Sequence, residues 1–403
     1  MIEHDPTTQD TKPLLSLIVV SSGLVLAALP LFMVGGLAVQ IRADLGFNEA
    51  ALGAAVTTGF VVGAVSAPFG GRIADRIGPR NALYLGGSLS GLSLFGLGMF
   101  TDSWGRLVVF MAIAGLAVAL TDPGLAILVN STIARERHGL AFGLKEASIP
   151  AATLAAGIAV PAIALTVGWR WAFTVGVVPL VVLVLLLSRA TSGPSAAGRS
   201  PDDLAAEDRS QTPKPAIILT AVAGALGPAA ASGVGVFLTE SAVAMGIGPG
   251  AAGILLAVGS VAGMITRIAT GVAADRTGRE QFRLIALLLA VGGVTMALGG
   301  TGNNALLVIG TIGAFTGGWG WTSIYFLSLV RADPSNPGAV SGIGTAGLGV
   351  GNAVGPLLFG LTAQSLSFRA AWLGAGVLAG MAAMLMGAAR SRMQPAEHPR
   401  SGQ

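Results

Sequence analysis

Long apolar runs alternate with short polar stretches along almost the whole chain. A helix rises about 1.5 Å per residue, so about 20 apolar residues cross the hydrocarbon core of a bilayer. Twelve runs reach about that length, and we number them as spans one to twelve. In chain order they cover residues 14–40, 50–71, 82–101, 107–130, 140–166, 171–188, 216–244, 251–273, 284–301, 305–330, 339–364 and 370–390. The pattern predicts an all-α membrane protein with twelve transmembrane helices.

The longest polar interruption, residues 189–215, is rich in Ser, Pro and charge, which is typical of a flexible linker. It divides the chain into two bundles of six spans, residues 14–188 and 216–390. Short polar tails precede and follow them at 1–13 and 391–403. The leader before span one is acidic and that span is long, so we do not expect a cleaved signal peptide.

The two halves align with each other at an offset of 200 residues. At that offset Gly35, Gly46, Gly53, Gly71, Asp75, Arg76 and Gly78 meet Gly235, Gly246, Gly253, Gly271, Asp275, Arg276 and Gly278. A repeat of six helices crosses the membrane in the same direction in both copies. We therefore expect two bundles related by a pseudo-twofold axis along the membrane normal.

Composition narrows the class of function. Charged residues make up only 10% of the chain, against about 25% in soluble domains, and hydrophobic residues make up 53%. A chain of this kind is solvated by lipid, which excludes a soluble enzyme and a nucleic-acid binder. The chain has no cysteine and only three histidines, all in polar segments, so we expect no metal and no cofactor.

The basic residues are distributed unevenly between the two sides of the predicted membrane. If alternate loops face alternate sides, one side collects 17 of the 23 Lys and Arg residues, including Arg72, Arg76, Arg80 and Arg331. We call this side the basic end, and the opposite side, with Arg42 and few other cations, the far end. By the positive-inside rule the basic end is cytoplasmic, with both termini, in a multi-pass protein of the inner (plasma) membrane.

Two short segments carry a family resemblance. GGRIADRIGPR (70–80), between spans two and three, resembles the signature of the major facilitator superfamily, and TGVAADRTGRE (270–280) resembles its second copy. The resemblance covers nearly the whole chain. It implies a monomeric secondary active transporter, not an enzyme, that works by alternating access around a midplane site.

In that superfamily the two signatures form a charged latch that closes the cytoplasmic end. The resemblance assigns this role to Gly71, Asp75, Arg76, Gly78, Arg80, Gly271, Asp275, Arg276 and Gly278. We expect the glycines at 71 and 271 to allow close helix packing. The alternative is that the charges are only topology anchors, and Pro79 stands where the family often has a basic residue.

Two cations interrupt apolar runs, and an ionisable group at bilayer depth marks a functional site by default. Arg267 lies eight residues before Asp275, about 12 Å along span eight from the basic end. Lys145 lies eight residues after Arg137, at a similar depth in span five. Guanidinium groups bind carboxylates in bidentate fashion, so the two cations predict an anion site.

The position of Arg267 is similar to that of a substrate-binding arginine in oxalate/formate, monocarboxylate and nitrate carriers. The segment GLKEASIP (143–150) resembles span five of the cyanate-carrier-like branch. Two alternatives remain open at this point. Arg267 could be neutralised by a buried acid, and Lys145 could pair with Asp122 or Glu146.

Three acids are candidates for proton coupling. Asp122 interrupts span four beside Pro123, and Glu146 follows Lys145 in span five. Burial raises the proton affinity of a carboxylate and a nearby cation lowers it, so Asp122 is either a proton site or a static partner of Lys145. Glu240 lies near the far end of span seven, where an outer-gate or interfacial role is the alternative.

The remaining candidates lie on spans ten and eleven. Trp319, Trp321 and Tyr325 fall in GGWGWTSIYF (317–326), too deep for the interfacial aromatic belt. One indole could pack against substrate or merely fill the core. Asn352 is a polar candidate on span eleven.

The sequence predicts proton-coupled uptake of a small organic anion, most simply a carboxylate. Arg267 would hold the anion with support from Lys145, and Asp122 or Glu146 would carry the proton. The alternative is proton-driven efflux of amphipathic compounds. That alternative predicts that Arg267 pairs internally and that Trp319, Trp321 and Tyr325 form an apolar pocket.

Overall fold

A computed structural model of the chain describes residues 7–132, 138–180, 183, 214–276, 281–332 and 337–393. The predicted linker, except for its last two residues, and the outer parts of both predicted tails lie outside the described residues. The α-helices are Thr7–Gly36, Ala38–Leu45, Glu49–Met99, Trp104–Thr132, His138–Ala159, Trp169–Val175, Lys214–Ala244, Pro249–Arg276, Gln281–Gly299, Asn304–Gly313, Thr322–Ala332, Pro337–Ser365 and Phe368–Met393. Two π-helices directly follow α-helices: Val160–Ala164 follows His138–Ala159, and Ala314–Gly318 follows Asn304–Gly313. Within the described ranges no strand occurs.

Eight of these helices are long and apolar enough to cross a membrane, and the bent pair that includes Ala38–Leu45 makes nine if its two parts form one span. One of the eight, Glu49–Met99, holds both span two and span three. Span ten is broken into Asn304–Gly313, a π-helix and Thr322–Ala332, and span six is described only in part. Eleven of the twelve predicted spans are therefore present as helical segments, and span six is largely helical where it is described, although the helices are not separate units.

The reversal between spans two and three lies at Gly78. Its φ of +81° is not helical and interrupts the long helix Glu49–Met99. Residues with a Cβ avoid that region, so a glycine is required at this turn. Pro79 follows at the first position of the next helix, where its missing N–H costs no helical hydrogen bond.

Three pairs of spans make the main contacts between the two halves. Span five lies along span eight, span two lies along span eleven, and span one meets span seven. Exchanging the two halves of the repeat converts the first pair into the second. The interface thus has the pseudo-twofold arrangement that the 200-residue offset predicts.

At the far end the halves approach to backbone contact. A Cβ added at Gly53 would lie 2.5 Å from the carbonyl oxygen of Pro356, and one at Gly35 would lie 2.8 Å from the Cα of Val236. The hydroxyl of Thr57 donates to the carbonyl oxygen of Ala353 at 2.5 Å across the same interface. Small residues here allow close helix approach, as in other membrane bundles.

The basic end carries the charged residues of the first signature. Asp75 and Arg76 are exposed, and neither has an ion pair within the part of the chain that the structure describes. Arg80 packs its guanidinium over the ring of Tyr84 at 5.5 Å. The side chains of Asp275 and Arg276, and all of Gly278, lie outside the described residues. In this structure the first signature is not latched to the described part of the second half.

The prediction that Gly71 packs closely against a neighbouring helix is wrong by one residue, because the close contact is at Gly70. Nothing lies within 4 Å of the place where a Cβ of Gly71 would be, whereas one on Gly70 would collide with the carbonyl oxygen of Ala119 in span four. One residue turns a helix face by about 100°, so only Gly70 faces the neighbour. Gly271 does lie at a close helix contact, with its Cα 3.4 Å from a Cβ built on Gly143.

Candidate substrate site

A small cavity lies between the halves, where spans one, five, seven, eight and ten meet. Its lining consists of Phe32, Ile149, Pro150, Thr153, Ser232, Gly235, Gly263, Arg267, Phe315 and Trp319. Most of these groups are apolar, and the charge among them is that of Arg267. Ligand sites usually combine an apolar wall with a few convergent polar groups, and this cavity has that composition.

Arg267 is only 1% exposed, and two backbone carbonyls anchor it. Its Nε donates to the carbonyl oxygen of Trp319 at 3.3 Å, and its Nη1 donates to the carbonyl oxygen of Glu146. Both acceptors are uncharged. The guanidinium is therefore fixed in direction while its positive charge stays uncompensated by these bonds.

Irregular backbone makes both acceptors accessible. Pro150 lies four residues after Glu146 and has no N–H, so it cannot donate the helical hydrogen bond that the Glu146 carbonyl would normally accept. The carbonyl of Trp319 lies at the break in span ten, directly after the π-helix Ala314–Gly318. Single π-turns are frequent at functional sites, and this one exposes a carbonyl to the cavity arginine.

No carboxylate lies within 4 Å of the Arg267 guanidinium among the described residues. The ring of Trp319 does lie near it, with 5.4 Å between the ring centroid and Cζ. An aromatic face stabilises a cation without neutralising it. Arg267 thus makes no ion pair within 4 Å among the described residues, although the Glu146 carboxylate is near enough to act on its charge.

Lys145, which is 7% exposed, has the opposite environment. Its Nζ lies 2.6 Å from Oδ1 of Asp122 and 3.5 Å from Oε1 of Glu146. The other carboxylate oxygen of Glu146 accepts from the hydroxyl of Thr322 at 3.4 Å. Asp122 is the most accessible of the group, with 46% of its side chain exposed.

These side chains form a connected cluster. Glu146 binds Arg267 through its carbonyl and Lys145 through its carboxylate, so it joins the two cations directly. We call Asp122, Lys145, Glu146 and Arg267 the charge cluster. With two cations and two carboxylates in their ordinary ionisation states, its net charge is zero.

The aromatic candidates of span ten separate into two environments. Trp319 lines the cavity, but Trp321 and Tyr325 pack edge to face in the core of the second half, 5.2 Å between centroids. Their polar atoms bond to the backbone, since the Trp321 Nε1 donates to Gly318 and the Tyr325 hydroxyl donates to Thr220. The prediction that these two residues bind substrate has no support from their positions.

Two further candidates do not reach the cavity. Asn352 does not line it, and its buried Oδ1 has no partner in the described residues. Glu240 lies at the far end, where it pairs with Arg42 at 2.7 Å, and Arg42 also pairs with Glu49 at 2.9 Å. One cation of the first half is thus shared between an acid of each half.

Sequence reasoning missed Ser232 of span seven. It is 1% exposed, lines the cavity, and its Oγ has no hydrogen-bond partner in the described part of the structure. A serine in an apolar helix carries no sequence signal that separates it from packing serines. Pro150 did carry a signal, because a proline always releases the carbonyl four residues before it.

Comparisons with known proteins cover most of the chain. A family model described as Major Facilitator Superfamily matches twice, over residues 20–223 and 220–403. The crystal structure of a D-xylose-proton symporter superposes with a TM-score of 0.74 at 15% identity, covering 93% of this chain and 97% of that one.

A curated relative is an uncharacterised MFS-type transporter of Mycobacterium tuberculosis. It is 28% identical over 118 residues, which is 29% of this chain. The match spans only 20% of the relative's own length.

Proposed function

Because the chain belongs to the major facilitator superfamily, we propose that it is a proton-coupled carrier of a small organic anion that works by alternating access. The family makes it a multi-pass membrane transporter and not an enzyme. The observation that carries the substrate proposal is Arg267, a fully buried guanidinium with carbonyl anchors and no carboxylate within 4 Å in the described chain. Its position supports placing the chain with the organic-anion and monocarboxylate carriers of the superfamily.

A carboxylate is the ligand that this site favours. Arg267 uses two of its N–H donors on backbone carbonyls, and its remaining donors can bind an entering anion. The guanidinium presents planar, paired N–H donors that fit the two oxygens of a carboxylate. The apolar lining of Phe32, Phe315 and Trp319 suits a short hydrocarbon body.

Charge balance supports coupling to a proton. The charge cluster sums to zero when empty, and a bound monoanion would leave it at −1 in a low-dielectric interior. One proton on Asp122 or Glu146 restores neutrality, so the anion and the proton stabilise each other in the loaded site. Lys145 supports the site by holding both acids rather than by touching the anion. A D-xylose-proton symporter shares the fold, which agrees with this mode of coupling.

Alternating access follows from the contrast between the two ends. The far end is closed by backbone contacts and by Arg42 between Glu49 and Glu240, while Asp75 and Arg76 of the signature are exposed. This arrangement supports a state closed at the far end, although spans five and eight also meet closely at Gly143 and Gly271 toward the basic end. The excess of basic residues supports a cytoplasmic location for that end, and with it insertion in the inner membrane.

The test is proton entry into proteoliposomes that contain a pH-sensitive dye. Addition of a panel of monocarboxylates and dicarboxylates should acidify the lumen for the transported anions, and the Arg267→Gln protein should give no signal with any of them. Lys214→Gln, in the predicted linker, is a matched control that removes a cation elsewhere. A panel without response in the unchanged protein would contradict proton-coupled anion uptake.

A further inference from the structure

The hydroxyl of Thr322, on span ten, has two acceptors for its single hydrogen. Its Oγ1 lies 3.4 Å from Oε2 of Glu146 and 3.1 Å from the carbonyl oxygen of Trp319, and the residue is 1% exposed. A threonine hydroxyl has one O–H donor, and its oxygen can also accept a hydrogen bond. Thr322 therefore donates to only one of the two oxygens at a time.

The carbonyl of Trp319 is shared between Thr322 and the cavity arginine. It accepts from Nε of Arg267 at 3.3 Å as well as from the Thr322 hydroxyl. A carbonyl oxygen has two lone pairs and can accept both bonds. Its electron density is then divided between two donors, so a bond from Thr322 weakens the hold of this carbonyl on Arg267.

The protonation state of Glu146 decides where the Thr322 hydrogen points. An ionised carboxylate only accepts, and it makes a stronger hydrogen bond than a neutral carbonyl does. When Oε2 takes up a proton from solvent, it becomes a donor, and the Thr322 oxygen accepts from it. The Thr322 hydrogen then turns to the carbonyl of Trp319.

Charged groups reach Glu146 from its own span and from two neighbouring spans. They are Lys145, 3.5 Å from its carboxylate, Asp122 of span four, which pairs with that lysine, and Arg267 of span eight, which donates to its carbonyl. Span one also packs against span five, and its segment 21–36 has no charged residue. On span ten the Tyr325 hydroxyl donates to Thr220 instead. Thr322 is therefore the contact through which span ten meets the Glu146 carboxylate.

We propose that Thr322 is a positioning residue that couples a proton on Glu146 to the anion at Arg267. With Glu146 ionised, Thr322 donates to the carboxylate, and the Trp319 carbonyl holds Arg267 alone. With Glu146 protonated, Thr322 donates to that carbonyl, and the Arg267 Nε is freer to bind a carboxylate. This inference rests on the proposed function, and it selects Glu146 over Asp122 as the acid that carries the proton.

Coupling of this kind makes anion affinity depend on pH. Two ligands with coupled sites change each other's affinity by the same factor, commonly about fivefold to 150-fold. We expect the unchanged protein to bind a monocarboxylate about tenfold more tightly at about pH 5 than at about pH 8. Without the Thr322 hydroxyl this ratio should fall to about threefold, the part that the charge of the cluster supplies directly.

The experiment measures binding of acetate, propionate and 2-hydroxypropionate to the purified full-length protein at both pH values, by quenching of tryptophan fluorescence. Thr322→Val removes the hydroxyl at nearly constant volume and should reduce the pH dependence. Thr322→Ser keeps the hydroxyl and should retain it, which guards against a packing defect in the valine variant. Thr270→Val is the matched control, because the Thr270 hydroxyl donates to the carbonyl of Gly320 in the same break of span ten and contacts no acid among the described residues.

The possible failures are distinguishable. Binding that requires Arg267 but is equally pH-dependent in Thr322→Val and in the unchanged protein would overturn the role of Thr322 and leave the anion site intact. An equal loss of pH dependence in Thr270→Val would also overturn it, because any disturbance of the break would then be sufficient. Binding that requires Arg267 but is independent of pH in the unchanged protein would overturn the coupling to Glu146. Absence of Arg267-dependent binding of all three acids would overturn the proposed function itself.

Discussion

Arg267 and Lys145 are both buried cations at the interface between the halves, yet their surroundings are opposite. Lys145 has two carboxylates within 3.5 Å, whereas Arg267 has two carbonyls and an indole face. Burial alone therefore does not mark a substrate cation. In our proposal the neighbouring groups decide, because carboxylates beside a cation neutralise the charge that an anionic substrate would otherwise bind.

The most severe test of this comparison is removal of the charge at Arg267. Arg267→Gln should lower anion uptake by about 100-fold or more, because an anion entering an apolar cavity would then have no counter-ion. Initial rates of labelled-anion uptake in proteoliposomes measure the effect. Arg267→Lys keeps the charge but loses the planar donor pair, and it should recover only a small part of the rate. Uptake by the glutamine variant at a tenth of the normal rate would contradict the assignment of Arg267.

A second test separates proton coupling from anion binding. Glu146→Gln removes a titratable carboxyl but leaves the backbone carbonyl that anchors Arg267. We expect uptake driven by a pH gradient to fall by about tenfold or more, with anion exchange between the two sides retained. Counterflow of labelled anion in the absence of a gradient measures the retained activity.

Comparison of Asp122→Asn with Glu146→Gln shows which of the two acids carries the coupled proton. If the asparagine variant is uncoupled while the glutamine variant is not, Asp122 carries the proton and Glu146 is a static partner. Normal gradient-driven uptake in both variants would show that neither acid couples the proton.

A third test addresses Lys145, which we expect to act through its acids. Lys145→Met leaves Asp122 and Glu146 without their cation, which should destabilise the protein by about 1–2 kcal/mol, a value reduced because Asp122 is half exposed. Adding Asp122→Asn to the lysine variant should restore part of the loss. Thermal unfolding of the detergent-solubilised protein gives both values. A double variant no more stable than Lys145→Met would show that the 2.6 Å pair contributes nothing.

The smallest expected effect concerns the two tryptophans of span ten. Trp319→Leu removes the aromatic face beside Arg267 and should weaken anion affinity by about threefold to tenfold. Trp321→Leu should leave anion affinity unchanged and lower stability instead, because that indole is core packing. Apparent anion affinity and thermal stability, measured for both variants, show whether Trp319→Leu changes affinity and Trp321→Leu changes stability. Equal effects on affinity would erase the distinction between the two positions.

Much of the fold was readable from the sequence, because apolar runs of membrane length have few other interpretations. The two buried cations were also readable, since a charge inside such a run is conspicuous. The sequence did not show which of the two cations is paired, because Asp122 and Lys145 belong to different spans and meet only when the bundle packs. Trp319 and Trp321 differ by two positions, about 200° around a regular helix, and the break in span ten decides which one faces the cavity.

The far-end pairing of Arg42 with Glu240 was likewise beyond a sequence reading. It joins residues from the two halves, 198 positions apart. The alignment of the halves places Glu240 beside Gln40 of the repeat, not beside Arg42. The packing glycine of the signature was misplaced by one residue for a similar reason, since only the position of span four distinguishes Gly70 from Gly71.

The neutrality of the charge cluster has an electrical consequence. Moving one elementary charge through a membrane potential changes its energy by about 2.3 kcal/mol per 100 mV. The cluster carries no net charge when it is empty and none when it holds one monoanion and one proton. The membrane potential therefore does no work on the empty or the loaded site as it moves between the two sides. Net transport should then respond to the pH gradient and the anion gradient, and be indifferent to the voltage across the membrane.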